Sequence, residues 1–267
     1  MKLPIAQDAS GDADTLTRAA QRAILVLART TVEPGEEPFA SLWMCEERPD
    51  DPGLNFAADV RPDPDSTDDP VAAIVTAFDE HNLTCHRLLA NGVAFEPEIV
   101  KAAQPHGFAP ADRIVWRARA VTGPEATPDD DLQILPVRSV YPEATTFFTE
   151  QAKQADNPDP TATAKTVIDQ LDEPRLEAFF ARRDGQPVAS AGVLVLGSIG
   201  ILKLVSDWPT DPESDAGRVL AHTLEHCMRA QLEHVIVDQP DSDTHAEALT
   251  GLGFERLGTL PVLETAP

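Results

Sequence analysis

Between Ile201 and Leu220 the chain reads ILKLVSDWPTDPESDAGRVL, a short apolar strand that runs through a polar, proline-containing loop into the start of a helix. Such a junction is a frame for holding a phosphate, because the free N–H groups and positive dipole end of a helix N-terminus attract anions. Here the contents oppose the frame. The loop is poor in glycine and carries Asp211, Glu213 and Asp215.

Around this junction the elements follow in a regular order. Leu132–Ser139 reads as a strand, and 142–154 and 160–171 read as helices. Three apolar segments come next, at 176–182, 187–196 and 199–206, with Asp184-Gly185 and Gly197 as turn signals between them. A helix over 217–232, a strand over 234–238, a helix over 244–252 and one or two strands over 254–263 complete the series. The order β-α-α-β-β-β-α-β-α-β predicts a mixed α/β (α+β) arrangement, with hairpins first and crossover helices later. Upstream, 23–30 (AILVLART), 40–45 and 55–60 read as strands, and Val71, Ile74, Val75 and Phe78 form the apolar stripe of a helix over 71–81.

Two halves meet at 123–131 (GPEATPDDD), which has no apolar period and reads as a linker between domains 1–122 and 132–267. The halves also rhyme. IVKAAQPHGFAPADRIVW (99–116) and AEALTGLGFERLGTLPVL (246–263) each give a short helix, a Gly-Phe stop and a terminal strand, which suggests a duplicated unit.

A formal charge of −24 excludes nucleic acid and anionic membranes as main partners. Lysine is scarce and arginine common, an acidic, halophile-like composition that speaks of environment more than activity. No apolar run approaches the roughly 20 residues that span a bilayer, and MKLPIAQDASGDAD has no apolar leader core, so a cytoplasmic location is expected. Cys45, Cys85 and Cys227 offer neither a disulfide framework nor a metal knuckle.

On these residues the second half, 132–263, resembles a GNAT (GCN5-related) N-acyltransferase domain: the element order, the strand-loop-helix at 201–232, and the Leu252-Gly253-Phe254 stop carry the likeness. The first half resembles a degenerate copy, so the chain is similar to tandem GNAT proteins. The resemblance implies two domains, each a mixed, mostly antiparallel sheet flanked by helices. It also implies acetyl-CoA or another acyl-CoA as acyl donor, and a small-molecule or peptide amine as acceptor, with a homodimer as one assembly open to the chain. By the same resemblance Val205 and Ser206 supply strand N–H groups to the acyl carbonyl, and Ser214, Asp215, Ala216, Gly217 and Arg218 surround the pyrophosphate.

The family's loop pattern, Arg/Gln-x-x-Gly-x-Gly/Ala, falls here on Pro212, Asp215 and Gly217, so two of three anchors are replaced. Pro212 removes a donor, and Asp215 adds a charge. Two like charges about 4 Å apart repel by about 1 kcal/mol in water and about 4 kcal/mol near a protein surface. The tyrosine that usually protonates the departing thiolate is Leu249, and the asparagine seven residues earlier is Ser242. Lys203, Ser206 and Asp207 are the polar groups the fourth strand offers for base catalysis. The first half, whose strand leads into RPDPDSTDDP, is expected to bind no acyl-CoA. Two readings stay open: an acyltransferase, or a non-catalytic GNAT-fold binding or regulatory protein with an eroded CoA site.

His222 and His226 lie four apart on the helix, with Glu225 beside them. Helical phase puts them opposite Leu220, Leu224 and Met228, which reads as a solvent face rather than a metal site. His81, Cys85 and His86 lack a fourth ligand at metal spacing.

Overall fold

The structure is a computed structural model that describes residues 12–62, 69–111, 113–119, 129, 131–157, 159–209, 211 and 213–265. Its first element corrects the sequence reading. Residues 23–30 are not a strand: helix α1 spans Ala13–Ala28. Leu16, Ala19, Ala20, Ala23, Val26 and Leu27 are all buried, a helical stripe that begins seven residues before the apolar run AILVLA.

Then follow β1 (Gly35–Glu37), β2 (Ala40–Trp43), β3 (Phe56–Val60), α2 (Pro70–Glu80), β4 (Arg87–Ala90), α3 (Pro97–Ala103), β5 (Phe108–Pro110) and β6 (Arg113–Arg119). The later part comprises β7 (Leu132–Pro136), α4 (Tyr141–Gln154), α5 (Pro160–Gln170), β8 (Leu176–Arg183), β9 (Gln186–Leu196) and β10 (Ile199–Lys203). It closes with α6 (Asp215–Arg229), β11 (His234–Pro240), α7 (Asp243–Gly251), β12 (Glu255–Thr259) and β13 (Val262–Thr265). Among the described residues no helix is long and apolar enough to cross a membrane.

These elements form two compact units, each built on one mixed sheet flanked by helices. Neither unit is a contiguous half. The larger comprises Met1–Ala23 and Ile114–Gly258, with strand order β12-β6-β11-β10-β9-β8-β7; the smaller comprises Ile24–Arg113 and Thr259–Pro267, with order β1-β2-β3-β4-β13-β5. The division into 1–122 and 132–267 therefore gives way to an exchange of terminal strands. β13 pairs antiparallel with both β4 and β5, which draws the C-terminal residues into the smaller sheet. Most of 123–131 lies outside the described residues.

The larger unit's core lies between its sheet and helices α6 and α7. Phe179, Ala181, Ala191, Val193 and Leu202 from the strands meet Val219, Leu220, Leu224, Cys227 and Leu249 from the helices. α4 packs on strand residues of the other parity, where Phe147 and Phe148 contact Phe180 with ring centroids 4.9 and 5.6 Å apart. Gly192 is required by close approach: a Cβ there would stand 2.9 Å from the Glu177 carbonyl oxygen. The Gly-Phe stops also repeat in conformation, with φ +82° at Gly107 and +81° at Gly253, the left-handed turn that ends a helix.

Candidate functional site

The site is built where β10 parts from β11. The two strands pair in parallel over Ile199↔His234, Gly200↔Val235 and Ile201↔Ile236, and β10 ends at Lys203. Leu204 then takes φ +54°, a left-handed conformation uncommon for a residue with a branched side chain. The neighbouring strand β9 holds the turned segment. Ser190, fully buried, donates its hydroxyl to the Leu204 carbonyl at 2.7 Å and its N–H to the Ser206 hydroxyl oxygen at 2.9 Å. The Ser206 N–H donates to the Ser190 carbonyl at 3.0 Å.

This clip decides which backbone donor is free. Ser206 spends its N–H on β9, which corrects the expectation that it faces an acyl group. The preceding N–H, that of Val205, makes no bond in this clip. No acceptor among the described residues takes it. A buried carboxylate that the sequence reading missed stands on β11: Asp238 accepts from Lys203 Nζ at 2.6 Å. The available signal was a lone lysine inside an apolar strand in a chain that otherwise uses little lysine.

The smaller unit repeats the device and then closes it. Asp59 has φ +55°, and the Arg61 N–H donates to the Phe39 carbonyl at 3.0 Å, as Ser206 does to Ser190. Parallel pairing of β3 with β4 resumes beyond the irregularity at Val60↔Ala90. The fork of the smaller unit is therefore shut.

Beyond the fork, Trp208 is buried in the core, and the chain turns into α6. Ser214 is the N-cap: its hydroxyl oxygen accepts the Gly217 N–H at 3.0 Å. The N–H groups of Asp215 and Ala216 have no partner among the described residues. Val205 and Ala216 rest on the same core cluster, so the structure brings the strand and helix ends of the expected site to one foundation. Pro212 lies outside the described residues.

Asp215 does not face an incoming dianion as its position suggests. Its oxygens accept from Arg183 at 2.6 and 3.3 Å, and Arg183 also binds Asp129 at 2.8 Å. Hydrogen bonding to Asp215 and then Asp129 holds the Arg183 guanidinium more firmly protonated than usual, and Arg183 holds the Asp129 carboxyl below the usual carboxylate range. Arg218 donates to the Glu213 carbonyl at 2.9 Å and pairs with the Glu213 carboxylate. Two unpaired N–H groups at a helix N-terminus beside two guanidiniums suit a phosphate. Three carboxylates share those guanidiniums and leave the cluster one negative charge in excess.

Other candidates fall away. Leu249 is buried in the core and offers no acid. Ser242 caps α7 by accepting the His245 N–H at 3.3 Å, and Asp207 is exposed at the strand end. Tyr141 begins α4, where burial and then Asp172 push its phenol above the usual value, so it stays protonated at neutral pH. His222 and His226 are half-buried rather than on an open solvent face. Their rings pack on Phe179 at 4.8 and 5.5 Å, burial lowers the His222 pKa, and Met228 is the large hydrophobic residue that this helix leaves exposed. The phase error arose because α6 buries both Thr223 and Cys227, which turns the stripe past Met228. No group of three or more metal-ligating side chains occurs among the described residues.

Two mixed sheets with these flanking helices are matched as a fold in solved structures. A GCN5-related N-acetyltransferase from Kribbella flavida superposes with a TM-score of 0.61 at 16% identity, over 94% of this chain and 96% of that one. The chain has the tandem GNAT fold. A tandem GNAT protein from the clavulanic acid biosynthesis pathway matches with a TM-score of 0.50 at 13% identity, over 79% of this chain and 76% of that one. A conserved protein of unknown function from Staphylococcus epidermidis matches at 0.56 and 13% identity, covering 88% and 95% of the two chains. No family model matches this GNAT-fold chain by sequence, and no curated protein does.

Proposed function

We propose that the larger unit is an N-acyltransferase domain that takes an acyl group, an acetyl group first of all, from acyl-CoA and passes it to an amine. The observation that carries this reading is the open β10–β11 fork with the unpaired Val205 N–H. That donor is placed to polarise a thioester carbonyl lying along the fork, a fixed dipole that needs no rearrangement as negative charge develops. The N–H groups of Asp215 and Ala216, with Arg183 and Arg218, are the groups to meet the pyrophosphate. The amine nitrogen bonds to the carbonyl carbon, the C–S bond breaks, and the ammonium proton passes to water. Positioning then supplies much of the rate, since Leu249 cannot protonate the leaving thiolate.

The Ser214 cap and the buried Leu249 favour a second reading, a GNAT-fold protein that binds without catalysis. Thiol release from acetyl-CoA, followed with a chromogenic disulfide across a set of primary amines, separates the two. Amine-dependent release supports the transferase. Binding of acetyl-CoA with no release for any amine favours the second reading.

A further inference from the structure

The larger unit has a second candidate site that the acyl-transfer reading does not use. A cavity of about 410 Å³ lies between α4 and the start of β9. Its apolar surface comes from Phe147, Pro187 and Val188; Val188, at 41%, is one of two large hydrophobic residues left exposed among the described residues. Phe147 is anchored edge-on against Phe180 with centroids 4.9 Å apart, so its ring is a fixed wall of the cavity. Glu143 and Glu150 stand on the same face of α4, seven residues and thus about 10.5 Å apart along the axis, with Phe147 between them.

The charges are unevenly matched. Glu150 has Lys153 at 2.6 Å, an exposed pair of small energetic weight. Glu143 is half-buried and has no cationic partner among the described residues. Arg182, on the adjoining hairpin, is engaged by the Gly185 carbonyl at 2.8 Å. A carboxylate awaiting a cation, an aromatic wall and an exposed aliphatic side chain in one cavity of ligand size call for a positive charge joined to an apolar body. The net charge of −24 favours the approach of cations to this chain.

We propose that this cavity binds a small organic ammonium ion with an aromatic or aliphatic body, its ammonium on Glu143 and its body against Phe147 and Val188. Val188 precedes Ser190 by two residues, about 7 Å along β9, so a bound cation lies near the clip that shapes the fork. The binding is read without acyl-CoA and stands or falls apart from the transfer reading.

The test is a calorimetric titration of the full chain with 2-phenylethylamine, with 2-phenylethanol as its uncharged counterpart. Saturable binding of the amine, at least about tenfold tighter than the alcohol, is expected. Glu143→Gln should weaken the amine by about fivefold or more, and Val188→Lys by about tenfold. Both positions are on the surface, and an unchanged far-UV circular dichroism spectrum checks the fold; Glu150→Gln replaces either variant that fails the check, with a weakening expected. No saturable amine binding overturns the proposal, as do equal affinity for amine and alcohol or affinity unchanged in the variants.

Discussion

Replacing Lys203 with Met should destabilise the larger unit far more than an ordinary surface lysine would. The side chain is 18% exposed and that of its partner Asp238 only 3%, with 2.6 Å between Nζ and Oδ1. Losing the lysine takes the cation away from a carboxylate that is almost fully buried. Breaking a buried pair from one side costs about 3 to 5 kcal/mol, and the partial exposure of Lys203 places this case at about 3 kcal/mol. For a unit of this size the loss lowers the melting temperature by about 6 to 12 °C. The double replacement Lys203→Met with Asp238→Leu removes both charges and should recover to within about 1 kcal/mol of the parent. Because the pair is shielded, the loss should be nearly the same at about 0.1 M and about 1 M salt. Thermal melts by circular dichroism read all three chains. A loss below about 1 kcal/mol, or a double variant no better than Lys203→Met, would refute the claim that this pair is buried beside the fork.

Asp215→Gly removes a carboxylate and releases Arg183 toward the phosphate position, so acetyl-CoA affinity should rise about tenfold by titration, and unchanged affinity would count against the assigned pyrophosphate site. Glu173 is held below the usual carboxylate range first by its hydrogen bond from Arg175, so the folded state binds fewer protons than the unfolded chain. Its stabilisation is complete above the unfolded-chain value and lost as pH falls through the lowered folded value; acid unfolding between about pH 5 and pH 2 should therefore be shallower in Glu173→Gln. Burial pushes the Cys85 and Cys227 thiols up to about 12, so both should resist thiol reagents in the native protein at about pH 8 and react once it is denatured.

The strand-loop-helix at 201–220 was legible because periodicity changes from two to 3.6 across a proline and a capping serine, and these are local signals. The Gly-Phe stops were legible for the same reason: only a left-handed glycine ends both α7 and the turn after α3 in this way. What escaped the sequence depends on partners distant along the chain. Ser190 reads as an ordinary residue within a strand until Leu204, fourteen positions on, turns its carbonyl toward it. Asp215 reads as a charge facing a ligand until Arg183, 32 positions away, takes it. The exchange of β6 and β13 between sheets leaves no mark on either strand's composition, since each satisfies the same alternation in either place. The α1 error was of another kind: an eight-residue window on AILVLART hid a stripe that starts at Leu16.

The account depends on the open fork of the larger unit accepting an acyl-CoA, and a calorimetric titration of the unmodified chain with acetyl-CoA, at about 0.1 M and about 2 M salt, tests that most directly. It predicts saturable heat with one molecule bound per chain, because the smaller unit's fork is shut at Val60↔Ala90, and tighter binding in molar salt, where the excess carboxylate charge is screened. No heat at either salt concentration would contradict it.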